Sequence, residues 1–180
     1  MTEEIIERAR KIKMLLMDVD GVWTDGKLHY IVSPDGAVEE TKTFDSQDGI
    51  ALRWAGWKGL TLGVISGRDS RATEHRARQV GVKYIYQGHI EKIPILEEIL
   101  AAEKIDLENV AYIGDDLTDA IVMKRVGLAV ATANARPEVK RMAHVVTERP
   151  GGSGAVREVI EMILKAQGTW QEILEKYEVE

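Results

Sequence analysis

Short apolar runs, each stopped by small or polar residues, recur along this 180-residue chain with helix-like stretches between them. Met14-Leu15-Leu16-Met17, Leu60-Thr61-Leu62-Gly63-Val64-Ile65, residues 82–86, Val110-Ala111-Tyr112-Ile113 and residues 127–131 are too short for buried helices and read as buried strands. His144-Val145-Val146 adds a last short one. Strands alternating with helices through short loops specify a parallel sheet covered on both faces. The expected fold class is therefore a doubly wound, Rossmann-like α/β domain spanning residues 1–180.

The intervening stretches fill in that frame. Residues 3–11 read as a short charged helix. Residues 27–32 and 37–44 flank Ser33-Pro34-Asp35-Gly36, a type I turn sequence, and predict a β-hairpin inserted after the first strand. Asp48 to Lys58 follows as a helix with Ile50, Leu52, Trp54 and Trp57 partly inward. Asp69 is the expected N-cap of a helix reaching Val80, closed by Gly81. Further helices are expected over 91–104, 117–125, 136–142 and 155–166. The loop Arg149-Pro150-Gly151-Gly152-Ser153-Gly154 precedes the last of these, and an amphipathic tail over about 168–180 carries Trp170, Ile173, Leu174 and Tyr177.

Composition removes several function classes. The net charge is −6 with both signs mixed, so no basic face offers itself to nucleic acid. There is no cysteine, which excludes disulfides, thiolate catalysis and cysteine metal sites. The charged start, Thr2 to Arg10, lacks the apolar stretch of a signal peptide. No segment approaches the roughly 20 apolar residues of a membrane helix, and a cytoplasmic protein is expected.

The chemistry gathers at the ends of the strands, where open α/β sheets bind their ligands. The first strand ends in Asp18-Val19-Asp20-Gly21, the second in Ser66, the fourth in Asp115-Asp116, and Lys92 lies just after the third. Hard oxygen ligands without histidine or cysteine suit Mg²⁺. A lysine, a serine and free backbone N–H groups beside them suit a phosphoryl group. One aspartate can form an acyl-phosphate, and a second can protonate the leaving oxygen and then activate water. Taken singly, Ser66 reads as the polar end of a strand, Lys92 as a solvated helix residue and Asp116 as a helix cap. Their common placement is what points to catalysis. His29, His75, His89 and His144 show no ligand spacing, and Trp23, Trp54 and Trp57 read as core or interface residues.

Asp18-x-Asp20, Ser66, Lys92 and Gly114-Asp115-Asp116-x-x-Asp119, in that order, resemble the four motifs of the haloacid dehalogenase-like phosphatases over nearly the whole chain. Asp18 to Gly26, Ser66-Gly67-Arg68, Gln87-Gly88 and Gly151 to Glu158 narrow the resemblance to the branch that dephosphorylates 3-deoxy-D-manno-octulosonate 8-phosphate for lipopolysaccharide precursors. The resemblance implies Asp18 as nucleophile and magnesium ligand. It implies Asp20 as general acid/base, binding the metal through its backbone carbonyl, and Asp115 as the remaining protein ligand, with Asp116 and Asp119 in support. Ser66 and Lys92 would hold phosphoryl oxygens. Gly67, Arg68, Arg53, Arg76 and the Asp48-Gly49 pair match positions that contact the sugar acid. The branch commonly carries Asn-x-Arg where this chain has Asp45-Ser46-Gln47, which keeps nine-carbon keto-deoxy sugar acid phosphates in view as alternative substrates. A non-catalytic assembly module of the same fold is the other alternative, and the intact carboxylates and lysine argue against it.

The chain has no room for a cap domain, so a neighbouring subunit is expected to cover the site. The hairpin is apolar enough (Leu28, Tyr30, Val32, Val38) to pair with copies of itself, and the resemblance implies a homotetramer, with the loop 151–154 and the tail as segments able to reach an adjacent site.

Overall fold

The structure, a computed structural model, describes residues 1–179. Strand β1 (Met14–Met17) is followed by a separate antiparallel hairpin, β2 (His29–Val32) and β3 (Val38–Thr41). The chain then supplies β4 (Thr61–Ile65), β5 (Tyr84–Tyr86), β6 (Val110–Gly114), β7 (Leu128–Ala131) and β8 (Val145–Val146). These join β1 in one six-stranded sheet of order β5-β4-β1-β6-β7-β8, and every pairing in it is parallel.

Side-chain alternation splits the sheet's apolar residues between two cores. Leu15, Met17, Leu62, Val64, Ala111, Ile113, Leu128 and Val130 pack on one face. There they meet helices α1 (Glu3–Arg10), α2 (Ser46–Trp57) and α3 (Arg71–Val80). Met14, Leu16, Tyr112, Ala129 and Ala131 pack on the other, against α4 (Ile93–Glu103), α5 (Leu117–Met123) and α6 (Pro137–Met142). Helix α7 (Ala155–Ala166) returns to the first face, with Ile173 of the final helix α8 (Trp170–Lys176) behind it. β1 is buried on both faces along its whole length, which is why it reads as an unbroken apolar run.

Several boundaries differ from the sequence reading, each for a local reason. Ser70, not Asp69, caps α3, its hydroxyl accepting from the Thr73 N–H. α2 begins two residues early because Asp45 serves as its N-cap, accepting from Gln47 N at 2.6 Å. Trp57 points outward, 52% exposed, with the Lys176 ammonium 4.3 Å above its ring. Trp54 instead is buried edge-on to Trp170 and Tyr177 and donates to the Tyr177 hydroxyl at 3.1 Å. Those contacts fold the tail back onto its own α2. Past β1 the only insertion among the described residues is the hairpin, closed by Gly36 N donating to Ser33 O at 2.8 Å.

Candidate active site

The sheet runs outward from β1 in both directions, through β4 on one side and β6 on the other, so the crevice between β1 and β6 lies at a topological switch point. Asp18 extends the β1–β6 ladder by one bond, its N–H donating to Ile113 O at 3.0 Å. The chain then folds tightly, with the N–H groups of Val22, Trp23 and Thr24 all converging on Val19 O. Gly21, at φ +86°, allows the turn, and a Cβ on it would fall on the Asp115 carboxylate. Trp23 anchors the far side, fully buried against Phe44 with ring centroids 4.8 Å apart.

The glycine-rich loop braces this turn within the same chain instead of reaching outward. Gly152 N donates to Val22 O at 3.1 Å, and Gly151 N to Asn134 Oδ1 at 2.6 Å. Asn134 and Thr132 in turn donate to Gly21 O. A Cβ on Gly151 would overlap the Gly21 carbonyl, so the close approach requires glycine.

Beneath the turn lies a buried ionic cluster. Lys92, 2% exposed, places its three donors on Asp18 Oδ1 (2.8 Å), Asp119 Oδ1 (2.7 Å) and the Tyr112 hydroxyl (3.0 Å). The Tyr112 hydroxyl in turn donates to Asp119 Oδ1 at 2.8 Å. The other Asp119 oxygen accepts from the N–H groups of Asp115 and Asp116, at 3.0 and 3.2 Å. Asp119 is thereby saturated: it fixes the lysine and the Asp115 loop and has little left to offer a ligand. Asp116 caps α5 by accepting from Leu117 N at 2.7 Å.

Oxygens of Asp18, Asp115 and Asp119 lie within 4.8 Å of one another. Three carboxylates thus face one ammonium. Burial raises the Asp18 carboxyl to about 6 against the opposing pull of Lys92. Burial, with the charges of Asp119 and Asp18, raises Asp115 to about 8. Burial works against the Lys92 charge too, but Asp119 and Asp18 outweigh it and its pKa ends raised. Tyr112, fully buried beside Asp119, is pushed well above its ordinary value. The imbalance of two negative charges in an all-oxygen set fits a hard divalent cation. Asp18 and Asp115, which Asp119 supports, are the carboxylates free to hold one.

A pocket of about 290 Å³ opens above the cluster, lined by Asp18, Asp20, Ser66, Gly67, Arg68, Lys92, Asp115 and Asp116 among others. Ser66 is buried and its Oγ accepts from Arg68 N at 3.2 Å, which leaves its proton to donate into the pocket. Arg68 reaches across to Glu40 of the hairpin, and Lys42, just past β3, pairs with Asp20.

The remaining residues singled out in the sequence sit elsewhere. Asp48 lies in the first turn of α2, buried, and accepts from Arg157 N at 2.8 Å at the start of α7. It caps that helix, whose own N-cap is Gly154 and has no side chain. The Arg76 guanidinium fills the space beside Gly49, and Arg53 donates to Gln79 O at 2.7 Å. Within one chain none of Asp48, Gly49, Arg53 and Arg76 lines the strand-end pocket. Of the histidines, His144 accepts from Ala129 N through Nδ1 at 2.9 Å, a structural bond at the sheet edge. The side chains that line the pocket are also held by, or joined at its rim by, residues the sequence reading passed over. Tyr112 looked like one more apolar strand residue, Lys42 and Glu40 lie in a hairpin with no motif spacing, and Ile90 and Thr118 complete the rim.

The haloacid dehalogenase-like hydrolase family matches this chain over residues 76–160. A 3-deoxy-D-manno-octulosonate 8-phosphate phosphatase KdsC of Yersinia pestis is 42% identical over 93% of this chain and 87% of its own length. The Escherichia coli K12 protein of the same name is 40% identical over 96% and 89%. Among solved structures, a probable YrbI family phosphatase of Pseudomonas syringae superposes with a TM-score of 0.93 at 40% identity, covering 98% of each chain. The 3-deoxy-D-manno-octulosonate 8-phosphate phosphatase of Moraxella catarrhalis, in complex with magnesium, phosphate and KDO, gives 0.92 at 36% identity, over 98% of this chain and 99% of that one. With identity of this order carried along nearly the whole chain, and the four motifs gathered around one switch point, the chain belongs to the haloacid dehalogenase-like hydrolases and is an enzyme of their phosphatase class.

Proposed function

We propose that this chain removes phosphate from 3-deoxy-D-manno-octulosonate 8-phosphate, with Mg²⁺, through an aspartyl-phosphate on Asp18, for lipopolysaccharide precursor synthesis. The observation that carries the reading is the buried Asp18–Lys92–Asp119 cluster open to a pocket edged by Ser66 and Arg68. The names of the relatives supply the substrate.

Asp18, Asp115 and the backbone carbonyl of Asp20 would hold the magnesium, which when bound draws charge from the phosphoryl oxygens and settles the excess negative charge of the cluster. Lys92 ties down Asp18 Oδ1, so the second carboxylate oxygen attacks phosphorus. Ser66 donates its hydroxyl proton to a phosphoryl oxygen, and Lys92 offsets the charge that builds on the transferring group. Asp20 gives its proton to the leaving sugar oxygen as the P–O bond breaks. It then takes a proton from the water that attacks the aspartyl-phosphate, which restores Asp18. Arg68, 43% exposed at the mouth, is placed to pair with the carboxylate of the sugar acid.

A nine-carbon substrate is the second reading. It rests on Asp45-Ser46-Gln47, where Asp45 is committed to capping α2 and no arginine is present. Phosphate release from the eight- and nine-carbon substrates, with magnesium and with a chelator, decides between them. Magnesium-dependent release from the eight-carbon ester, abolished by Asp18→Asn, is the expected result. A preference for nine carbons moves the substrate and keeps the mechanism; no release from either overturns the assignment.

A further inference from the structure

The hairpin delivers a lysine to the acid/base carboxylate. Lys42 lies one residue beyond β3, and its side chain is 2% exposed although the hairpin itself stands out from the core. Its ammonium hydrogen-bonds Asp20 Oδ1, and Glu40 Oε1 stands 3.4 Å from it. Glu40 also pairs with Arg68, whose Nε is 3.7 Å from Asp20 Oδ2. The four side chains close a ring of alternating charge that joins the hairpin, the turn after β1 and the loop after β4.

Within that ring the two Asp20 oxygens are unlike. Oδ1 is bonded by Lys42 and approached by the Thr24 hydroxyl at 3.4 Å. Oδ2 is buried without a hydrogen-bond partner, on a residue that lines the pocket. Buried polar atoms are nearly always satisfied, so a lone one beside a site marks a place prepared for a reacting partner. A carboxylate held by one oxygen cannot rotate about its Cβ–Cγ bond without breaking a charge-assisted hydrogen bond.

We propose that Lys42 is the positioning residue for Asp20: it anchors Oδ1 so that Oδ2 faces the leaving oxygen, which makes the hairpin part of the catalytic device. The proposal rests on Asp20 being the general acid. Lys42 does not touch the reacting atoms; it acts through the orientation of the group that does.

The test separates a misplaced acid from a general loss of fit. Good leaving groups depart without a proton, and poor ones need it. Because kcat/KM reports events up to loss of the leaving group, it reads this step without interference from dephosphorylation. Phenyl phosphate and 4-nitrophenyl phosphate serve as probes independent of the natural substrate. In Lys42→Met, kcat/KM for phenyl phosphate falls about 100-fold, the scale of a misoriented acid, and for 4-nitrophenyl phosphate about 3-fold or less. Lys42→Gln, which keeps a donor of shorter reach, gives the same selectivity to a smaller degree and stands in if the methionine variant does not fold. Equal losses on both esters, or none, overturn the proposal and leave Lys42 a hairpin anchor. Asp20→Asn runs alongside. If it too lacks leaving-group selectivity, the acid itself has been misassigned. If it is selective and the Lys42 variants are not, only the role of Lys42 falls.

Discussion

At the scale of single residues, the site trades stability for charge. Asp115 has an unfolded-state pKa near 3.8 and a folded one of about 8. Between those values the folded protein holds a proton that the unfolded chain has lost, so the metal-free protein loses stability as pH rises through that window. Asp115→Asn removes the penalty. It should raise the melting temperature of the chelated protein at pH 8 by at least about 2–4 °C, the equivalent of about 1 kcal/mol in a chain this long. Magnesium, held as proposed by Asp18 and Asp115 of the folded chain, should raise the wild-type midpoint and leave the asparagine variant unmoved. A variant that melts below the wild type in chelator would show that the carboxylate is not strained. Asp18, Asp20 and Asp115 were legible because strand ends place them within three residues of an apolar run. Lys92 was legible only as part of an ordered set. Tyr112 was not: its hydroxyl binds Lys92 and Asp119 at the end of a side chain otherwise packed as core, and no sequence pattern separates that from an ordinary strand tyrosine. Tyr112→Phe removes one of the three anchors of Lys92, and should lower kcat about 10-fold with KM little changed, on the scale of one lost buried hydrogen bond; unchanged kcat would reduce the hydroxyl to packing.

At the scale of elements, the alternation of strand and helix was readable because a strand buried on both faces has to be apolar throughout and short. Contacts between distant elements were not. Asp48-Gly49 matched a substrate loop by resemblance; what no local pattern foretold is that within the chain the Asp48 carboxylate caps α7 from 109 residues away. Burial raises Asp48 from 3.8 to about 6, against the pull of the Arg157 N–H, and its second oxygen has no partner. The wild type should therefore lose stability as pH rises from about 4 to 6 on this account and level off above. Asp48→Asn keeps an acceptor for Arg157 N without the buried charge, so it should be flat across that window and no less stable at pH 7. Asp48→Ala leaves the helix end uncapped and should cost about 1–2 kcal/mol. Denaturant melts at pH 4, 5, 6 and 7 check both; an asparagine variant with the wild-type pH slope would clear Asp48 of the effect. The glycine loop follows the same logic. Gly151→Ala has to push the Gly21 carbonyl aside, so it should disturb the turn that carries Asp18 and Asp20 and cut activity more steeply than it lowers the melting temperature.

At the scale of the molecule, the pocket is open on the side away from the sheet. Its rim carries Ile90, 68% exposed, and the exposed Thr118, and no described element of the chain covers them. A small sugar acid phosphate bound there would keep most of its surface in solvent, so a covering surface is expected to supply the contacts that hold and select it. The hairpin points to its source. Tyr30, Ile31, Val32 and Val38 are each more than half exposed, on a two-stranded sheet whose outer edges pair with nothing among the described residues. An isolated hairpin of this kind is marginal in water, and an apolar one invites pairing with its own copies. Lys42 and Glu40 tie its inner face to Asp20 and Arg68, so pairing between hairpins would also hold the proposed acid/base carboxylate in place. We expect an oligomer, a tetramer by resemblance, in light scattering at assay concentration. Ile31→Glu with Val38→Glu, which sets like charges on the meeting surfaces, should reduce the mass toward a single chain. The same double variant should lose activity toward the sugar acid phosphate, while the magnesium-induced rise in melting temperature persists, because the carboxylates proposed to hold the metal lie within one chain. A wild-type monomer that is fully active would show that one chain closes its own site, and the exposed hairpin would then need another explanation.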